Sequence, residues 1–237
     1  MPFQSIFDDL LAELDPLEFA PPVCHVYNPL RYAREPHERY LERYGHPPKP
    51  VLLLGMNPGP WGMAQTGVPF GDVAMVRDWL GIKAPVGTPA DPHPRRPVEG
   101  FDCGRGEVSG RRLWGWVRDR FQTPEHFFAH FFVANYCPLV FLEESGRNRT
   151  PDRLPAAEKA PLFDACDRAL ARLARALKAE WVIGIGRFAE NRARRALEGT
   201  AFRIGSISHP SPANPKANQG WRERIEAELA EMGLSLG

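Results

Sequence analysis

The chain has few cysteines, no excess charge of either sign and no long apolar run. Its four cysteines, Cys24, Cys103, Cys137 and Cys166, are scattered over 237 residues, and none pair as CxxC. That spacing argues against a zinc ribbon and weighs against an iron–sulfur cluster, leaving reduced structural thiols as the expected state. No stretch approaches the ~18 apolar residues that cross a bilayer. The opening segment FQSIFDDLLAELDPLEF is acidic and amphipathic, unlike a signal or transit peptide. An intracellular, cytoplasmic protein with no membrane attachment is therefore expected. Thirty Lys and Arg balance 29 Asp and Glu for a formal charge of +1, so gross charge makes no case for nucleic acid.

The local distribution is less even. Residues 1–20 carry five acids and no Lys or Arg, whereas residues 186–216 carry Arg187, Arg192, Arg194, Arg195, Arg203 and Lys216 against Glu190 and Glu198. A local basic patch attracts phosphate without a high overall pI, although a run of helix-surface arginines is commonly just a solvated face.

What is present is ordinary globular composition, 43% hydrophobic and 25% charged, with a length that suits one domain and a well-buried core. The 25 prolines and 21 glycines sit between elements and form no low-complexity tract. Apolar periodicity predicts helices over 5–14, 36–44, 73–80, 110–120, 156–179, 187–198 and 218–232. Strands are predicted at 51–55 (VLLLG), 126–135 (HFFAHFFVAN), 181–186 (WVIGIG) and 202–208 (FRIGSIS), with a Pro/Gly-rich loop over 83–109. Buried strands alternating with helices imply an α/β fold with a mostly parallel sheet covered on both faces.

In such folds ligands bind beyond the carboxyl ends of the strands. Three loops then share one rim: GMNPGPWGMAQTGVPF, NYCPLVFLEESGRNRTP and HPSPANPKANQGW. A polar residue stands at each strand end, namely Asn57, Asn135 and His209. Two amides and one imidazole, with no obvious carboxylate base, nucleophile or metal cage, are the expected equipment of the site. From spacing alone, Asn57 could equally cap a turn before Pro58, and a strand-end Asn or a His before Pro could be structural.

Those loops, together with EVSGRRLWGW at 107–116, resemble the single-strand-selective monofunctional uracil-DNA glycosylase family, in the same order and over roughly residues 50–221. The resemblance implies a three-layer α/β/α uracil-DNA glycosylase fold in a single domain. It further implies a central, mostly parallel four-stranded sheet, and hydrolysis of the bond between uracil and deoxyribose without metal, cofactor or lyase step. It assigns Asn57 to holding the attacking water and His209 to donating to uracil O2. Asn135 reads the base edge and Phe70 stacks beneath it. Met56 borders the base with its backbone. Gly59 stands where thymine-excluding relatives in the superfamily carry a bulky Tyr, so room at C5 is expected and oxidised or hydroxymethylated uracils become expected substrates.

Two further segments match DNA-contacting loops of the family. Ser145, Gly146, Arg147, Asn148, Arg149, Thr150 and Pro151 match the segment inserted at the lesion. Ser211, Pro212, Ala213, Asn214 and Lys216 match a proline-stiffened wedge. Arg147, Arg149 and Lys216 are the expected phosphate contacts. Family members carry an Arg where Ala213 stands, and alanine cannot plug the gap left by a flipped nucleotide, which places duplex activity below single-strand activity. The expected partner is single- or double-stranded DNA containing uracil or a modified base, engaged by a monomer. Three other readings compete: the same fold turned toward deaminated purines through the open position at Gly59, a lesion-binding module that does not cleave, and an iron–sulfur glycosylase.

Overall fold

A computed structural model describes residues 2–234 of the chain. The order is helix α1 (Pro2–Leu14), strand β1 (Val23–Tyr27), helices α2 (Pro29–Tyr32) and α3 (Arg34–Tyr44), strand β2 (Val51–Gly55) and helix α4 (Met63–Thr66). A π-helical turn (Met75–Trp79) leads to α5 (Val108–Phe121) and α6 (Pro124–Phe128), then strands β3 (Phe131–Asn135), β4 (Val140–Glu143) and β5 (Asn148–Arg149). Helix α7 (Ala156–Leu177), strand β6 (Trp181–Ile185), helix α8 (Arg187–Ala196), strand β7 (Arg203–Ile207) and helix α9 (Trp221–Glu231) complete it.

Four parallel strands in the order β3-β2-β6-β7 form the central sheet of an α/β/α fold. Parallel strands covered on both faces read as unbroken apolar runs. Leu52, Leu53, Phe132, Val133, Val182 and Ile183 are accordingly almost completely buried. Helix α8 packs on β6 and β7, α7 on α8, and α1 on α7, while α6 reaches β3 and α9 reaches β7. The acids of α1 find partners here. Asp9 meets Arg172 at 2.7 Å, Glu13 meets Arg168, and Asp8 meets Arg34 at 2.9 Å.

Register fixes the site. Gly55 at the end of β2 pairs with Asn135 at the end of β3, and Ile207 at the end of β7 pairs with Ile185. Asn57 and His209 each follow two residues beyond those ends.

Two departures from the sequence reading concern the sheets. The segment 126–135 is not one strand: Thr123 accepts a hydrogen bond from the His126 N–H and Pro124 occupies the first turn, so 124–128 is helical and the strand begins only at Phe131. A second, three-stranded antiparallel sheet, β1-β4-β5, was not expected. Its β4–β5 hairpin carries the 145–150 segment toward the rim.

Candidate active site

A cavity of about 330 Å³ opens beyond the carboxyl ends of β2, β3 and β7. Met56, Asn57, Gly59, Phe70, Asn135 and His209 all line it. Three loops far apart in sequence thus bring every catalytic and base-contacting candidate to one pocket.

The Asn57 side chain is oriented by the main chain opposite. Its Nδ2 donates to Leu139 O at 3.1 Å. That bond uses the amide's donor end and leaves Oδ1 as the acceptor available to the cavity. An acceptor is what a water needs in order to be aimed.

His209 is oriented in the same manner. Its Nδ1 accepts from the Ser211 N–H at 3.0 Å, which places the ring proton on Nε2 and makes that nitrogen a donor. Burial holds the imidazole pKa down, to about 4, so the ring is neutral near pH 7. The backbone around it is clamped. Ser208 gives its N–H and its hydroxyl to Glu228 of α9, each at 2.7 Å, and accepts from Trp221 Nε1 at 2.8 Å. Asn214 Nδ2 donates to His209 O at 2.9 Å, and Arg112 of α5 donates to Pro210 O at 2.9 Å. Glu228, Trp221 and Arg112 escaped the sequence reading because their effect on His209 exists only once α5 and α9 meet the loop.

Asn135 and Phe70 meet across Gly55. A side-chain carbon at position 55 would collide with Asn135 Oδ1 and stand 2.6 Å from Phe70 Cε2, so glycine is required by this close approach. Asn135 Nδ2 points at Met63 Sδ, 3.2 Å away. Phe70 has φ +53°, a left-handed conformation costly for a bulky residue. Its surroundings enforce it: Trp114 Nε1 donates to Pro69 O at 3.2 Å, the Thr66 hydroxyl donates to Gly71 O at 3.1 Å, and Asp72 N–H donates to Phe70 O at 2.8 Å. Strain maintained at a pocket floor is a mark of function. The Phe70 and His209 rings stand 6.1 Å apart between centroids and are tilted by 44° to one another.

Gly59 and Glu107 both line the cavity. The Glu107 side chain lies against the loop backbone: a carbon added to Gly59 would collide with Glu107 Oε2 and stand 3.0 Å from Cδ, and one on Gly62 would stand 2.9 Å from Cγ. The expectation of a site with no obvious carboxylate is corrected by this residue, which lines the cavity. Glu107 Oε1 accepts from the Ser109 N–H at 3.3 Å as the N-cap of α5, and its own N–H donates to Asp72 Oδ2 at 2.9 Å. Burial raises its carboxyl pKa, the Ser109 N–H and Arg111 counter that, and Asp72 adds to it. The signal lay in EVSG following a loop with glycines at 59 and 62, but nothing local says that the two segments touch.

In the lesion-loop segment, Asn148 and Thr150 line the cavity, and Asn148 Nδ2 ties the loop to Pro58 O at 3.0 Å. Ser145 and Arg147 are exposed, whereas Gly146 and Pro151 are buried. Arg149 is engaged with Glu143 at 2.9 Å and with Arg153 O at 2.8 Å. In the wedge, Ser211 lines the cavity and Pro212 and Ala213 are exposed. Ser211 Oγ accepts from the Ala213 N–H at 3.2 Å, and Asn214 N–H donates to Ser211 O at 2.9 Å. The Lys216 side chain lies outside the described residues. Two members of the basic run 186–216 are engaged within the chain: Arg192 pairs with Asp167 and with Tyr136 Oη, and Arg194 with Glu190 at 2.9 Å.

Among the described residues, one group of three or more potential ligating side chains lies close together, Cys24, His25 and His93. Both nitrogens of His93 are occupied by the backbone, Nδ1 by Arg95 N–H at 2.9 Å and Nε2 by Glu143 O at 3.1 Å. No cysteine lines the cavity.

The uracil DNA glycosylase superfamily profile matches residues 42–230. Proteins named single-strand selective monofunctional uracil DNA glycosylase from Mus musculus and Bos taurus are each 52% identical to this chain, over 227 and 224 residues. The alignments cover 95% and 94% of this chain and 81% and 82% of those proteins. Wild-type SMUG2 from Pedobacter heparinus superposes with a TM-score of 0.69 over 96% of this chain and 97% of that one, at 16% identity, which is a likeness of fold. The chain belongs to the uracil DNA glycosylase superfamily and, within it, to the single-strand selective monofunctional family.

Proposed function

We propose that the protein is a base-excision repair glycosylase that hydrolyses the N-glycosidic bond of uracil in DNA, leaving free uracil and an abasic site. The observation that carries this reading is the pairing, in one pocket, of a fixed acceptor at Asn57 with a neutral imidazole donor at His209.

The target nucleotide leaves its stack and enters the cavity, with uracil over Phe70. Asn135 accepts from N3–H through Oδ1 and donates to O4 through Nδ2, giving up its contact with Met63. Cytosine presents the opposite pattern at both atoms and leaves the amide unpaired. As the C1′–N1 bond breaks, its electron pair moves onto uracil and positive charge gathers on the sugar. The Nε2–H of His209 donates to O2 and stabilises the departing anion. A water held on Asn57 Oδ1 adds to C1′ and releases a proton to solvent. Attack on a nearly formed cation needs orientation more than deprotonation, so an amide suffices.

The enzyme acts on DNA inside the cell, with single strands preferred because Ala213 leaves the wedge without a plug. No described helix is long and apolar enough to cross a membrane. The purine alternative is not favoured, since the relatives that share 52% of this sequence are named for uracil. The test is single-turnover release of uracil from a defined oligonucleotide by wild type, Asn57→Ala and His209→Ala. Release that drops by orders of magnitude in both variants supports the reading. Undiminished release by either variant contradicts its assigned role.

A further inference from the structure

The Pro/Gly-rich loop over 83–109 has no periodicity of its own, yet it is fastened to two segments that border the cavity. Gln65, fully buried, gives Nε2 to Pro60 O at 2.9 Å and to Pro97 O at 3.0 Å. Its Oε1 accepts the Glu99 N–H at 2.8 Å and the Gly100 N–H at 3.2 Å. His93, also buried, holds the same loop to the β4–β5 hairpin, its Nε2 donating to Glu143 O at 3.1 Å and its Nδ1 accepting the Arg95 N–H at 2.9 Å. Tyr27 Oη donates to Arg96 O at 2.8 Å. These bonds place one turn, and that turn carries Arg95 and Arg96.

Arg96 and Arg105 meet on Trp61. The Arg105 guanidinium stands 4.4 Å from the indole ring centroid and that of Arg96 5.2 Å, both within cation–π range. Trp61 follows Gly59 by two residues, which keeps it within about 7 Å of the cavity wall along the chain. A carbon on Gly146 would stand 3.3 Å from Arg95 Cβ and 3.4 Å from Arg96 Cζ, so the pair also borders the 145–151 segment. Two guanidinia on one ring repel each other unless an anion lies between or beside them. Among the described residues no carboxylate pairs with Arg95, Arg96 or Arg105, and nearby acids are engaged elsewhere, Glu143 with Arg149 and Asp91 with His25. Arg96 Nε is buried without a hydrogen-bond partner, and Arg105 is exposed between Gly104 and Gly106.

We propose that Arg96, Arg105 and Trp61, with Arg95 at the edge, form a subsite for the phosphodiester backbone of the strand flanking the target nucleotide. The identity of that strand rests on the proposed function. A guanidinium lying on an aromatic ring keeps its in-plane N–H groups for two phosphate oxygens at once. The indole holds the arginines at the cavity mouth without neutralising them. Contacts to phosphate carry no base preference, so the subsite grips any sequence and needs no complementary strand.

The test is single-turnover release of uracil from a single-stranded oligonucleotide over a range of enzyme concentrations, giving a half-saturating concentration and a maximal rate. Arg105→Ala, Arg96→Ala and the double variant are compared with Arg175→Ala, an equal loss of charge at an exposed position in the last turn of α7. Each phosphate contact on a single strand contributes about 0.7 to the logarithmic salt slope. Raising salt from about 50 to 200 mM should therefore weaken binding roughly 2.6-fold less for each arginine removed and roughly 7-fold less for both. The loss falls on the half-saturating concentration rather than on the maximal rate, which separates strand binding from a disturbed pocket. Trp61→Leu, which removes the platform and no charge, should weaken binding with the salt dependence kept. Shortening the strand to the uracil nucleotide on one side, 5′ or 3′, should erase the difference between wild type and the double variant. Half-saturation and salt dependence equal to those of Arg175→Ala in all three arginine variants would overturn the proposal, as would a loss confined to the maximal rate. Absence of uracil release by wild type strikes the functional reading itself, whereas release with unaltered salt dependence in the variants strikes only this subsite.

Discussion

In the proposed mechanism, replacing His209 with Ala removes one neutral donor to the oxygen on which negative charge develops. Such a donor, preorganised in a site shielded from water, contributes ~3–4 kcal/mol to the transition state. That corresponds to a loss of roughly 100- to 1000-fold in the single-turnover rate. Here the preorganisation comes from Ser211 N–H on Nδ1 and from the Glu228, Trp221 and Arg112 contacts that fix the loop. With the pKa held near 4 by burial, about one molecule in a thousand carries a charged ring at pH 7. The wild-type rate should therefore be flat from about pH 6 to 8, with no loss on passing through the ordinary histidine pKa near 6.5. Stopped assays of uracil release across that range, on wild type and His209→Ala, provide the measurement. A wild-type rate that falls tenfold per pH unit above 6.5, with that fall absent in the variant, would show that the imidazolium is the working form and refute the argument.

Other consequences can be checked as directly. Gly55→Ala places a carbon against Asn135 Oδ1 and Phe70, so uracil kcat/KM should drop at least tenfold, with ~1–3 kcal/mol of overpacking visible in the denaturation midpoint; unchanged activity would contradict the close approach. Ala213→Arg should raise the duplex-to-single-strand ratio of kcat/KM, and an unchanged ratio would remove the wedge argument. His37 and His209 both have folded pKa values lowered to about 4 by burial, whereas the unfolded chain titrates near 6.5. The unfolded state therefore binds more protons between those values, so this contribution to stability is complete above about pH 6.5 and is lost as pH falls toward 4, up to ~3 kcal/mol for each group. Urea midpoints at pH 7.5, 5.5 and 4.5 should decline, and His37→Asn, whose amide can keep the bond to Gly67 O, should decline less.

The parallel sheet was legible because its inner strands, β2 and β6, are covered on both faces and read as the apolar runs VLLLG and WVIGI. The antiparallel sheet was not, because β1 pairs with β4 more than a hundred residues away and β5 has only two residues, too few for any periodicity. HFFAHFFVAN misled because aromatic content speaks for a strand, while Thr123 and Pro124 just upstream start a helix that claims its first residues. At the site, the strand-end amides and His209 were readable from their positions and from the family likeness. Their orientations were not: the Asn57 bond to Leu139 O and the Ser211 N–H on His209 are tertiary facts. Glu107 was hidden for the same reason, since a carboxylate becomes part of the pocket only when α5 sets its first turn on Gly59 and Gly62.

The central claim is direct hydrolysis at C1′ by a water on Asn57, without metal and without a covalent enzyme intermediate. It is tested most directly by incubating wild type with a uracil-containing single strand in chelator, measuring free uracil, and adding borohydride to trap any imine between protein and sugar. The account predicts one free uracil per abasic site, an unbroken strand and no protein–DNA adduct, with release lost in Asn57→Ala. A trapped adduct, strand scission in step with base release, or activity abolished by the chelator would contradict it.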